Sequence, residues 1–281
     1  ERPGAEDDAR VQELLAELDE MVGLAGVKAE VRGLIDELQI NEWRRGAGLA
    51  VDHVGHHLIF AGAPGTGKTT VARLYGRLLA ALGVLSTNTF KEVSRRDLVG
   101  QYLGHTAEKT AAAFEEATGG VLFIDEAYTL SRANSRADYG QESIDTLVKL
   151  MEDHRDSVAV IAAGYTAEMG DFLATNPGLA SRFSRTIEFE NYGLDELTVI
   201  TTRIAARADY EFTADAEPLI RRYFAEIPRD ASFGNAREAR RFFEAIRKAQ
   251  ARRLRLLGTR PTIDALRGLT ADDLATATGQ G

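Results

Sequence analysis

The chain has 281 residues, of which 44% are hydrophobic and 27% charged, enough for one large domain and a small one. It contains no cysteine, which excludes disulfides and thiolate metal sites, and its net charge of −9 disfavours a nucleic-acid binder held by counterion release. No apolar run is long enough to span a bilayer and no signal-peptide pattern opens the chain, so the cytoplasm is the expected location; the start at Glu1 rather than Met points to a piece of a longer protein.

Taken in order, Val11, Leu14, Leu15 and Leu18 have helical spacing. Gly23 and Gly26 break that helix, and a second one is expected over residues 27–45. Residues 56–61 form a short apolar run that stops at glycine, as a buried strand does, and a helix follows over 68–82. Further strands are expected over 90–93, 121–124, 158–162 and 186–189, with helices over 106–117 and 141–152 between them. Buried strands alternating with amphipathic helices predict an α/β fold, a parallel sheet covered on both faces. Beyond residue 194 no strand pattern remains; helices over 195–207, 214–226, 236–256 and 271–276 predict a small all-helical domain. Charge is uneven, with an acidic block in the first twenty residues and an arginine-rich stretch over 221–260, read as solvated helix faces, with attraction between opposite faces of neighbouring subunits as the alternative.

The pattern Gly62-Ala63-Pro64-Gly65-Thr66-Gly67-Lys68-Thr69 lies between a strand and a helix, where glycines let backbone N–H groups curl around a β-phosphate. Lys68 reaches the β- and γ-phosphates, the Thr69 hydroxyl can ligate Mg²⁺, and Thr70 completes the first helical turn at the positive end of the helix. A magnesium nucleotide also needs a carboxylate at a second strand end, and Asp125 and Glu126 follow the apolar residues 121–124. Asp125 suits the Mg²⁺ shell and Glu126 the polarisation of the attacking water, so the pair implies hydrolysis. The five histidines have no ligand spacing; His53, His56 and His57 are expected at edge or capping positions. There is no Ser-His-Asp arrangement.

These motifs, with the strings Asp97-Leu98-Val99-Gly100-Gln101-Tyr102-Leu103-Gly104-His105-Thr106, Gly119-Gly120 through Tyr128, and Thr175-Asn176-Pro177 through Phe183, resemble the AAA+ ATPases of the CbxX/CfxQ type. That group includes red-type rubisco activases, SpoVK-like sporulation ATPases and the EccA ATPases of type VII secretion. The resemblance covers residues 18–247 and implies a P-loop AAA+ sheet followed by a small helical lid, with ATP and Mg²⁺ as cofactors. It implies domains at 21–192 and 193–281, after an acidic helical extension at 1–20. It puts Val22 and Gly23 at the adenine pocket, although without it they read only as a helix break. It puts Tyr102, Leu103 and Gly104 on a pore loop that grips a peptide, and residues 131–141, with Arg132, Arg136 and Tyr139, on a second. Tyr165 stands where many AAA+ proteins carry a polar sensor, a departure that leaves its role open. Arg182 resembles the arginine finger that reaches a neighbour's γ-phosphate, with Arg185 as a second candidate, and Arg237 resembles sensor 2, with Arg240 one turn along. The implied protein is a ring, expected to be a hexamer, that hydrolyses ATP to remodel or thread a protein client. Two alternatives stay open: a nucleic-acid motor or clamp loader of the same superfamily, disfavoured by the acidic balance, and a nucleotide-gated scaffold, disfavoured by Glu126.

Overall fold

The computed structural model describes residues 5–51, 55–100, 102, 104–131, 139–230 and 233–279. They form two compact units. One runs to Gly62 and resumes over Gly67–Phe189; the other joins Ala63–Thr66 to the chain from Glu190 onward.

The first unit opens with helices α1 (Ala5–Glu20) and α2 (Ala25–Gly46). Gly23 (φ 61°) and Leu24 (φ 58°) are consecutive left-handed residues, which no helix can continue through. The Lys28 ammonium closes the break by donating to the carbonyls of Asp19 and Met21 at the end of α1. Strand β1 (Leu58–Gly62) leads to α3 (Lys68–Ala81), against which α1 packs through its buried Val11, Leu14, Leu15 and Leu18. Next come β2 (Phe90–Val93), α4 (Arg95–Leu98), α5 (His105–Glu116), β3 (Val121–Ile124) and a 3-10 turn over Ala127–Ser131. The unit ends with α6 (Gly140–Asp153), β4 (Ala159–Gly164), α7 (Thr166–Thr175), α8 (Pro177–Ala180) and β5 (Arg185–Phe189).

All five strands are parallel, in the order β2-β3-β4-β1-β5. Strands β1, β3 and β4 are buried along their whole length, which explains their unbroken apolar sequences. Ile59 and Ile124 lie level, both paired with Ala162 of the intervening β4. The chain therefore leaves β1 and β3 at the same edge of the sheet, two strand spacings or about 10 Å apart. From β1 the chain crosses to the far edge at β2, and from β4 it returns past β1 to β5. Such a change of direction opens a crevice at the carboxyl ends of the strands.

The second unit contains α9 (Leu194–Ala206), β6 (Glu211–Phe212), α10 (Glu217–Glu226), α11 (Ala236–Arg255), α12 (Ile263–Arg267), β7 (Gly268–Leu269) and α13 (Ala271–Thr278). Its core gathers Leu197, Ile220, Phe224, Phe242, Ile246 and Leu274, and the Tyr223 and Phe242 rings stack 3.6 Å apart. The expectation of no strand beyond residue 194 is corrected here: β6 and β7 make a two-residue parallel ladder, too short to carry an alternating pattern. Within the arginine-rich stretch, Arg253 is not simply solvated, because it forks onto the buried Asp273 carboxylate at 2.8 and 2.9 Å. No helix among the described residues is long and apolar enough to cross a membrane.

Candidate functional site

Residues 62–69 connect β1 to α3. A loop that offers N–H groups to an anion must satisfy its carbonyls elsewhere. Here five successive carbonyls are engaged. Gly62 O accepts from Lys68 Nζ at 2.7 Å and Ala63 O from Thr66 Oγ1 at 2.8 Å. Pro64 O accepts from Asn235 Nδ2 at 3.3 Å, Gly65 O from the Ala236 N–H at 3.1 Å, and Thr66 O from the Tyr192 hydroxyl at 3.1 Å. The five carbonyls are thus committed to protein partners, the condition for a loop that offers N–H groups to a phosphate. Burial first, and then Glu196, push the Tyr192 hydroxyl up to about 12, so it stays a donor at any working pH.

The cradle excludes side chains. A Cβ on Gly65 (φ +71°) would stand 2.0 Å from Gly234 O, and one on Gly62 would stand 2.3 Å from Phe189 O. Lys68 and Thr69, both half-buried, open the first turn of α3, with Thr70 exposed beside them; Pro64 and Gly67 are half-buried and Thr66 is buried. These residues fit a nucleotide's phosphates.

At the end of β3 the Asp125 N–H donates to Val93 O at 2.8 Å, which anchors the strand end to β2. The Asp125 Oδ1 accepts the Glu126 N–H at 3.0 Å, and Glu126 O accepts from both N and Oγ1 of Thr129. Glu126 adopts φ +49°, a left-handed conformation that costs an L-residue about 1–2 kcal/mol and leaves its side chain exposed beyond the strand. Among the described residues no group of three or more His, Asp or Glu could hold a metal. The donors present, one carboxylate and one hydroxyl, suit Mg²⁺, which is commonly completed by substrate phosphates and water.

Tyr102 is 66% exposed, and its ring stands 5.6 Å edge-on from that of His105 at the start of α5. Gly104 (φ +85°) precedes that helix; Leu103, like Arg132 and Arg136 of the expected second pore loop, lies outside the described residues, whereas Tyr139 is half-buried just before α6. Arg182 follows α8 and pairs with Glu152 of α6 at 3.0 Å, with its Nε buried. Arg185 is tied to Glu37 and Glu30 of α2. Tyr165 precedes α7 and packs 6.0 Å from Tyr128. Arg237 and Arg240 are both exposed on α11, and Val22 and Gly23 occupy the break between α1 and α2. His56 and His57 are buried, the former against Arg155 O and the latter accepting the Val160 N–H; His53 lies outside the described residues.

Three residues that hold this arrangement were not singled out by their sequence: Asn235, Tyr192 and Glu152. Only Asn235 had a local signal, its position at the opening of α11.

The family model described as ATPase family associated with various cellular activities (AAA) matches residues 58–191, and that of the AAA lid domain matches residues 193–281. Protein CfxQ of Xanthobacter flavus is 44% identical over 248 residues, 88% of this chain and 78% of the relative. This chain belongs to the AAA ATPases, and within them to the CbxX/CfxQ type. As an AAA ATPase it binds nucleotide and hydrolyses ATP. The ribulose bisphosphate carboxylase/oxygenase activase of Cyanidioschyzon merolae is 41% identical over 87% of this AAA ATPase and 84% of its own length. Stage V sporulation protein K of Bacillus subtilis is 40% identical over 94% and 83%. Among solved structures, the FIGL-1 AAA domain in complex with ADP has a TM-score of 0.65 at 18% identity, covering 93% of this chain and 82% of that one. The Thermotoga maritima RuvB Holliday junction branch migration motor has a TM-score of 0.61 at 23% identity, covering 94% and 71%. At those identities the two structures speak for the fold alone: an AAA sheet followed by a helical lid.

Proposed function

We propose that this AAA ATPase assembles into a ring, a hexamer, and spends ATP hydrolysis on remodelling a protein client drawn through the central pore. The observation that carries the reading is Tyr102, a large aromatic between α4 and α5 that is exposed to solvent rather than folded into the core. An aromatic held this way contacts any polypeptide without reading its sequence. Proteins of this family typically form rings and act on protein substrates, and the relatives named above include an activase of ribulose bisphosphate carboxylase/oxygenase.

In this reading the first part of the loop and the N-terminus of α3 cradle the phosphates, with Pro64, Gly65, Thr66, Gly67 and Thr70 shaping the cradle and Val22 and Gly23 facing the adenine. Lys68 neutralises the β- and γ-phosphates. Mg²⁺, held by Thr69 and Asp125, would withdraw charge from the phosphoryl oxygens. Glu126 orients and deprotonates the attacking water, Arg182 of one protomer stabilises the charge that develops on its neighbour's nucleotide, and Arg237 follows the nucleotide state from the lid.

Phosphate release should be measured alone, with an unfolded polypeptide such as casein, and with ribulose bisphosphate carboxylase/oxygenase. Stimulation by either protein is expected, and in Tyr102→Ala the ratio of stimulated to unstimulated turnover should fall to one. Equal stimulation of the wild type and Tyr102→Ala would remove the pore role.

A further inference from the structure

The residue before α11 has a conformation its type rarely adopts. Asn235 has φ 49° and ψ −119° and is fully buried. With the Arg237 N–H donating to Gly234 O at 2.9 Å, residues 234–237 form a tight turn, and these angles match the first central position of type II′. Glycine is the residue of choice there. Asparagine is common before helices for another reason, because its side chain caps the first free N–H groups. Here it makes no such cap.

The carboxamide is spent elsewhere. Its Oδ1 accepts the Tyr192 N–H at 3.0 Å, and the two N–H groups of its Nδ2 are shared among Asn191 Oδ1 at 2.8 Å, Pro64 O at 3.3 Å and Phe233 O at 3.4 Å. The neighbouring Ala236 N–H takes Gly65 O, and the side chain of Tyr192, whose main chain Asn235 fixes, takes Thr66 O. Three consecutive loop carbonyls thus take three hydrogen bonds, of which the buried Asn235 amide makes the one to Pro64 O itself, while the donors of the other two are its chain neighbour Ala236 and Tyr192, whose N–H it holds. Strain that persists in a fully buried residue is kept by its surroundings, and glycine would relieve this strain but could make none of the side-chain bonds.

We infer that Asn235 is a positioning residue for nucleotide binding, holding the loop from Pro64 to Thr66 in the shape that receives phosphate. The inference rests on the reading of residues 62–69 as the phosphate site. A loop already shaped in the free protein binds ATP and ADP alike, so loss of the hub reduces the competent fraction and weakens both equally.

The test is Asn235→Gly, which keeps the backbone angles and removes only the carboxamide. The expected result is a rise of about tenfold in KM for ATP and in Kd for a fluorescent ADP analogue, with kcat at saturation within about twofold of the wild type. Tyr192→Phe, which removes the single bond to Thr66 O, should shift both constants in the same direction by less, and the double variant should fall short of the product of the two effects. An unchanged KM, or a fall in kcat with KM unaltered, overturns the inference. Lys68→Ala separates the two levels: if it too leaves nucleotide affinity intact, the phosphate-site reading fails, whereas if it alone abolishes binding, only the role of Asn235 fails.

Discussion

Two glycines with the same backbone angle but different surroundings allow the cradle to be tested quantitatively. Gly65 has φ +71° and Gly83, just past the end of α3, has φ +72°. An alanine at either position meets the left-handed penalty of about 1–2 kcal/mol, part of which is offset because alanine has less freedom to lose on folding. Around Gly83 nothing lies within 4 Å of the added Cβ, so Gly83→Ala should cost about 1 kcal/mol and no more. At Gly65 the Cβ would lie 2.0 Å from Gly234 O and 3.0 Å from the Arg237 nitrogen, both main-chain atoms of the tight turn. Ordinary contact needs about 3.5 Å, so loop and turn must part by more than an ångström. The bonds at risk are Ala236 N to Gly65 O, at 3.1 Å, and Asn235 Nδ2 to Pro64 O, at 3.3 Å. At about 1 kcal/mol each, their loss brings the cost of Gly65→Ala to about 3 kcal/mol. Thermal unfolding should show a drop for Gly65→Ala about three times that for Gly83→Ala. Fluorescent-nucleotide titration should show affinity lost by about tenfold or more in the first variant only, since about 1.4 kcal/mol of lost loop contact corresponds to a factor of ten. Equal thermal shifts together with wild-type affinity in Gly65→Ala would refute the reasoning.

Other tests address separate links. Arg182→Ala should bind ATP normally yet lose hydrolysis by about 10³-fold or more, measured as phosphate release at a protein concentration that supports assembly; unchanged hydrolysis would dismiss the shared site. In the helical unit, burial tends to raise the Asp273 pKa, but hydrogen bonds from Arg253 and Thr270 outweigh it and hold the carboxyl below the usual carboxylate range. Its contribution is therefore complete above the unfolded value of about 3.9 and disappears as pH falls through the lower native value. Asp273→Asn should cost about 3 kcal/mol at pH 7, and the stability gap from the wild type should narrow only below about pH 4. A gap that stays constant down to pH 3 in thermal unfolding would contradict that assignment.

The sheet was legible chiefly because β1, β3 and β4, buried along their whole length, are apolar throughout. Residues 121–124 coincide with β3, residues 90–93 coincide with β2 although that edge strand carries Lys91 and Glu92, and the loop after β1 has the spacing of a phosphate-binding pattern. Elements whose form depends on distant partners were not. Helix α7 went unread because Met169 and Phe172 alone mark its buried face and Gly170 interrupts it. Helices α4 and α12, of four and five residues, are shorter than any period can register. Within the candidate site, the residues proposed to touch phosphate announce themselves through fixed spacing, but their supports do not. Asn235 meets Pro64 across 171 positions and Tyr192 meets Thr66 across 126, so no local pattern links them. Arg182 stands in a string that marks it as a candidate finger, whereas no local pattern points to its ion-pair partner Glu152 on another helix.

The five engaged carbonyls also bear on how the catalytic cycle ends. A receptor finished before its ligand arrives sacrifices little order on capture, and for the same reason gains little by letting go. In the proposed reading ADP retains the β-phosphate that the cradle would surround, so the cradle's own grip does not tell product from fuel. Departure of the spent nucleotide then calls for an outside push on the cradle itself, and the carbonyl bonds from Tyr192, Asn235 and Ala236 are the handles through which such a push would arrive.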